Sequence, residues 1–448
     1  GCVPICPVFF YVIDLTHILE EDMGFQEIEN LLKEEQWTRS TITNYTIQSF
    51  EELDQQISEL DDEEKTEVKN LCDTHLSEKE RNSIISMYVS GSIQLERRGS
   101  EDYLLLLNLI ELFAEHKKWN IVNFLSQKIL RKTENKHALR LLANSYDQNG
   151  QEEEKYAIWE RLVKVDYDEI EIVKQIGAYS QQKGNVEKAV SMYRKAIHRL
   201  LKRKDTSPIR PIFNTLLELD NENFEYFMNL VDQVGTLSQS TAIAMLRDLE
   251  AANKNNVDNQ IEAQKKTLQY DREDIYAKEN LIKSYKVKYK NHSRLKSCLE
   301  SSALTSNLVR DVLHSIEDFE TNIAFDKGTF VFQNSTGKIG RIRSIDENDV
   351  IVDFAGQKGK EGNRLSTAMA FKSLMPLAKS HIWVLKSALP KEKLNKKVLE
   401  DIPWTLKTLL TSNGGKSSLK EIKAELVPSI LEPKQWTTWS NHAKKELM

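Results

Sequence analysis

Apolar residues recur at helical intervals through most of this chain, from Met23 to about Glu320. In "FQEIENLLKEE" Phe25, Ile28, Leu31 and Leu32 fall on one stripe, the spacing of a helix with one buried face. A helical region over 23–100 is expected. Its acidic run, Asp61 to Glu64, stands where a helix N-terminus would gain from negative charge.

A repeat follows. "HALRLLANSYDQNGQEEEKYAIWERLVKV" and "EIVKQIGAYSQQKGNVEKAVSMYRKAIHR" align so that Leu142, Ala143, Gly150, Trp159 and Leu162 return as Ile176, Gly177, Gly184, Tyr193 and Ala196. The offset is 34 residues, the tetratricopeptide period. Small residues then sit where two antiparallel helices touch, and Gly marks the turn between them. Weaker copies on either side extend the expected helical-repeat solenoid over 101–320.

The period changes at Ala324. "DKGTFVFQ", "GKIGRIRSID" and "NDVIVDFAG" alternate, and turn residues separate them, the last group running from Gly356 to Gly362. Three hairpin-linked strands, with "HIWVLKS" as the fourth and "STAMAFKSLMPL" as a helix or helical turn between, predict a small SH3-like barrel over 323–390. Helical spacing returns over 391–448, where three short helices predict a helix-turn-helix-like unit. On the last of them Trp436, Trp439, Ala443 and Leu447 share a narrow stripe and read as core anchors. The fold class expected is mostly α, with one small barrel.

Composition adds less. Mean hydropathy is −0.51, ordinary for a soluble globular protein. No run of 18 apolar residues is present, so no membrane-spanning helix is expected. The apolar leader over 1–22 lacks the basic segment of a signal peptide. Met23 reads as the natural start and the leader as an extension of the gene model, with an apolar anchor as the alternative. Four cysteines are too few for a disulfide framework and point to a reducing cytoplasm.

Charge is unevenly spread. Residues 322–448 hold 21 Lys and Arg against 13 Asp and Glu, a balance of +8, and the rest of the chain stands at −14. That asymmetry directs attention to the basic part. Lys338, Arg341 and Arg343 share one strand, with Arg341 and Arg343 two apart and on the same side. Arg364 and Lys372 add charge nearby. On the closing helix Lys434, Thr438, Asn441 and Lys445 lie opposite the tryptophans, so Lys434, Asn441 and Lys445 are the candidate contacts there. Both sets suit an anionic surface or nucleic acid.

Motifs for chemistry are absent from the sequence. "SNGGKSS" lacks the first Gly of a phosphate loop and reads as a turn capping the next helix. Cys72 and His75 form a lone pair without a second half, so no metal site is expected. No nucleophile or dinucleotide signature appears, and no enzymatic activity, cofactor or small-molecule substrate is expected.

"FDKGTFVFQNSTGKIGRIRSIDENDVIVDFAG" with "RLSTAMAFKSLMPLAKSHIWVLKS", continued by "WTLKTLLTSNGGKSSLKEIKAELVPSILEPKQWTTWS", resembles the central part of long Gre-type (GreA) bacterial transcription elongation factors. The resemblance covers about 23–448 and is specific from Phe325 onward. It implies RNA polymerase as partner, with nucleic acid as a further candidate through the basic C-terminal part. Gre factors carry an acidic pair at a coiled-coil tip, and this sequence holds no matching hairpin. The expectation is therefore an accessory region of an elongation factor, truncated before the catalytic part. The alternative is a tetratricopeptide scaffold unrelated to transcription.

Overall fold

A computed structural model describes residues 23–35, 39–78, 82–97, 103–220, 222–306, 310–356 and 362–446. The leader, the segment 357–361 and Leu447 thus lie outside the described residues. The chain divides into two compact units, Gly1–Asp220 and Asn221–Met448.

Among the described residues the first unit is all helical. It begins with α1 (Met23–Glu34), α2 (Arg39–Asn44), α3 (Ile47–Glu59), α4 (Asp62–Glu78) and α5 (Ile84–Glu96). Phe50, fully buried, lies within ring distance of Tyr45, Tyr88, Phe113 and Phe124. Helix α5 is buried almost all round, as its lack of a charged face requires. The Glu35 carboxylate caps its start, accepting from the backbone N–H groups of Ile84 at 2.9 Å and Ile85 at 3.1 Å. The acidic run acts at a helix start as expected: Asp61 accepts from the N–H groups of Glu63 and Glu64, and Glu64 accepts from that of Asp61.

Next come α6 (Leu104–Glu115) and α7 (Trp119–Leu130), and then the two copies read from the repeat. These are the hairpins α8 (Lys136–Gln148) with α9 (Glu152–Val165), and α10 (Ile170–Gln182) with α11 (Val186–Lys202). Helix α12 (Ile209–Leu219) closes the unit. Gly150 and Gly184 hold φ of 71° and 78°, the left-handed turn that a side chain resists. At Gly177 an added Cβ would lie 3.1 Å from the Tyr193 ring, so the small residue marks the close approach of two helices.

The second unit begins with α13 (Phe224–Gly235), α14 (Gln239–Ala252), α15 (Val257–Tyr270), α16 (Ile275–Lys288), α17 (Leu295–Ser301) and α18 (Val312–Ile323). The sheet follows: β1 (Phe330–Gln333), β2 (Lys338–Ile345), β3 (Asp349–Phe354), β4 (Asn363–Ser366), helix α19 (Thr367–Ser373) and β5 (Leu374–Leu377). All pairs are antiparallel, in the order β4-β3-β2-β1-β5. Phe325, Val331, Ile342, Val350, Val352 and Phe354 fill its core. Gly340 allows the curl: a Cβ there would lie 2.5 Å from Val352 and 2.7 Å from Phe354.

Two expectations change here. "HIWVLKS" is a helix, α20 (Ile382–Ala388), and not the fourth strand. His381 caps it by accepting from the Trp383 N–H at 3.2 Å, and Ile382 packs into the C-terminal core. The fourth and fifth strands are instead "NRLS" and "LMPL".

The C-terminal helices are α21 (Lys391–Glu400), α22 (Ile402–Ser412), α23 (Leu419–Leu426) and α24 (Pro433–Glu446). Ser418 and Glu421 form a capping box on α23, the role expected of the "SNGGKSS" turn. Trp439 is 2% exposed and donates from Nε1 to the Val398 carbonyl at 2.9 Å. Trp436 is only half-buried and stacks on it at 5.6 Å. Among the described residues Cys72 and Cys298 are free and buried. Burial and then the Asp73 carboxylate push the Cys72 thiol up to about 12. No helix among the described residues is long and apolar enough to cross a membrane.

Candidate functional site

Strand β2 alternates until its middle, with Gly340 and Ile342 inward and Arg341 outward. The register then shifts between Ile342 and Ser344, so Arg343 is the extra residue of a bulge. Its side chain stays on the outer face, where Nε donates to Asp353 at 2.9 Å and a second guanidinium N–H bonds the same carboxylate. Arg341 stands directly opposite Asp353. Its guanidinium lies over the Phe330 ring at 5.8 Å, and Nε donates to the Gly328 carbonyl at 3.3 Å.

Arg364 on β4 faces Ile351, next to the outward Asp349, and pairs with that carboxylate. The pairings hold Arg343 and Arg364 above the ordinary guanidinium range, in each case chiefly through the hydrogen bond to the partner carboxylate. Three arginines and two aspartates therefore share this face.

Lys338 does not join it. It lies at the start of β2 in phase with Gly340, on the other side from Arg341. Lys372 is exposed in the last turn of α19. The face is a lattice of mixed charge, far less basic than the strand sequence alone implies. Sequence reasoning missed Asp349 and Asp353 as its members. Both lie in "NDVIVDF" at positions two and four residues apart from Ile351 and Asp349, a spacing that puts them on one side of a strand.

On α24 the expected polar face is present. Lys434, Thr438, Asn441 and Lys445 are all exposed, while Trp439 and Ala443 are buried. Lys434 and Thr438 also border a cavity of about 410 Å³ with Leu399, Ile402 and His442. Asn441 and Lys445 lie further along the helix, outside that cavity. Among the described residues no group of three His, Cys, Asp or Glu is placed to hold a metal.

Residues 383–448 match the family model of the GRAD helix-turn-helix domain. The match begins within α20, whose Ile382 packs into the C-terminal core while its Trp383 ring lies 4.7 Å from Phe332 of β1. Over 410 residues the chain is 35% identical to a GreA-associated domains protein of Treponema pallidum (strain Nichols), covering 91% of this chain and 61% of that protein. Over 426 residues it is 34% identical to "Transcription elongation factor GreA" of Borreliella burgdorferi, covering 94% of this chain and 46% of that protein. The chain thus spans about half the length of these relatives. The resemblance to long Gre-type factors, specific in the sequence only from Phe325, extends through the helical part as well. Among solved structures the tetratricopeptide protein YrrB aligns with 41% of this chain and 93% of its own, at 14% identity and a TM-score of 0.26. That likeness is too low to bear on function.

Proposed function

We propose, from the similarity of this GreA-related chain to elongation-factor proteins over more than nine-tenths of its length, that it is an accessory region that associates with RNA polymerase. That similarity carries the reading. It includes the helical units, the sheet and the GRAD helix-turn-helix domain together, whereas a general repeat scaffold would share the repeats alone. The work proposed for the chain is binding, in the cytoplasm.

Association is tested directly. Purified chain mixed with RNA polymerase is expected to co-migrate with it in gel filtration. Recovery of unrelated partners without polymerase would favour the scaffold reading instead.

Within this reading the outer face of the sheet is the proposed contact, with nucleic acid on the exposed face of α24 as a further candidate. The double variant Arg341→Glu/Arg343→Glu turns a face with three arginines and two aspartates sharply acidic. It is expected to weaken polymerase binding and flatten its salt dependence, since exposed charges act through a field screened within about 8 Å at physiological ionic strength. Stability is expected to change little, because the ion pair lost, Arg343 with Asp353, is exposed and such pairs contribute weakly to folding. Binding unchanged in this variant would remove the face from the proposal.

We further propose that the chain alone performs no chemistry, because its sequence lacks motifs for a nucleophile, a metal or a phosphate. Added with magnesium to a backtracked polymerase, it is expected to leave transcript shortening at the basal rate. Stimulated shortening by pure protein would show that active carboxylates had been overlooked.

A further inference from the structure

The two tandem hairpins carry thirteen Lys and Arg residues between Lys136 and Arg203. Nine are ion-paired: Lys136 and Arg140 with Asp166, Lys155 with Asp147, Arg161 with Glu134, Lys174 with Glu171, Lys183 with Glu153, Lys188 with Glu160, Arg194 with Asp220, and Arg203 with Asp168. The other four, Lys164, Lys195, Arg199 and Lys202, all line one cavity of about 480 Å³. Asp168 also lines it, but that carboxylate is exposed and paired with Arg203 at 3.1 Å, so among the described residues the lysines here have no carboxylate partner of their own.

Arg199 explains part of the design. It is 7% exposed and donates to the carbonyls of Val163 at 2.5 Å, Glu169 at 2.9 Å and Asp166 at 3.2 Å. Those carbonyls belong to the end of α9 and the loop after it, where a helix presents its partial negative charge. Arg199 is thus occupied in neutralising the wall and Arg203 in pairing with Asp168, which leaves Lys164, Lys195 and Lys202 as the excess charge of the cavity. Among the described residues no carboxylate lies within ion-pair distance of these three. Tyr167, 75% exposed, stands at the rim with its ring 5.6 Å from the Arg199 guanidinium. A large aromatic held in water beside free lysines is the composition of a binding anchor.

We propose that this cavity, formed between the second helices of the two hairpins, binds a short acidic peptide segment of a partner protein. Two or three Asp or Glu side chains would meet the lysines, and a neighbouring apolar residue would cover Tyr167. A nucleic acid fits less well. Its backbone needs a continued line of free cations, and here the cations on either side are already paired. The unit that carries the cavity is also acidic overall, with 28 Lys and Arg against 39 Asp and Glu over residues 1–220, which disfavours a long polyanion. This inference does not depend on the chain acting in transcription.

The test uses the full chain and a fluorescein-labelled ten-residue peptide of Asp and Glu with one central Phe, read by fluorescence anisotropy. The triple variant Lys164→Glu/Lys195→Glu/Lys202→Glu is expected to lose about tenfold or more in affinity, the size of a hot-spot loss. The control Lys254→Glu/Lys286→Glu/Lys290→Glu makes the same change in net charge at exposed positions of the second unit and is expected to bind nearly as the parent does. Tyr167→Ala, at a position too exposed to support the fold, is expected to lose affinity for the Phe peptide but not for its Phe-free version. Equal losses in the triple variant and the control would reduce the effect to net charge and overturn the proposal. So would displacement of the peptide by inorganic phosphate, or tighter binding of a twenty-nucleotide single-stranded DNA than of the peptide at this site.

Discussion

Trp439→Ala is expected to cost the C-terminal helices about 3–5 kcal/mol, the range for emptying a buried aromatic site. The indole is 2% exposed among Leu394, Val398, Leu409 and Leu431, so alanine leaves a cavity that no neighbour can enter without moving a helix. Its Nε1 also gives the Val398 carbonyl a hydrogen bond at 2.9 Å, which alanine cannot replace. The loss should be local, and hydrogen exchange resolved by segment measures it. Amides of α21 to α24 should lose protection while those of the first unit keep theirs. Trp436→Ala, which uncovers a half-buried ring, should cost clearly less. Equal protection loss in the two variants would contradict the packing described here.

Phe50→Ala should be as severe in the first unit, again about 3–5 kcal/mol. Phe50 is the fully buried ring at the centre of an aromatic group, with centroids of Tyr88 at 4.7 Å, Tyr45 and Phe113 at 5.7 Å, and Phe124 at 6.4 Å. Those rings come from α3, α5, α6 and α7 and the residue range just before α3, so one substitution loosens every contact among them. Segment-resolved exchange should show α3 and α5 opening together. Protection confined to loss in α3 alone would mean the group does not act as one core.

The helices and the repeat were legible because their signal is redundant. Ile28 and Leu32 fall on the stripe read from the sequence and are buried, and Gly150 and Gly184 take the left-handed turn that their spacing implied. The sheet was legible where strands alternate over six or more residues, as in β2 and β3. It was not legible at the short elements. "HIWVLKS" fits both periods over seven residues, and its helical state is decided by the His381 cap and by packing from elsewhere in the chain. "LMPL" was hidden by Pro376, which lacks the N–H of an interior strand but is tolerated in one paired on a single side.

The candidate face was half legible. Outward placement of Arg341 and Arg343 follows from alternation, but their acidic neighbours depend on cross-strand register, and the bulge at Arg343 shifts that register by one residue. The lysine cavity was not legible at all. It appears only once nine neighbouring cations are seen to be paired.

The order of the strands has a further consequence. β4 and β5 each pair on one side only, so they are the edges open to addition of a foreign strand. Each is four residues long, β5 contains Pro376, and β4 presents Arg364. Short edges bearing proline or charge are poor templates for intermolecular β-pairing. A concentrated solution of this protein should therefore resist seeding by its own sheet, and strengthening an edge, as with Pro376→Val, would remove one of the guards against fibre formation.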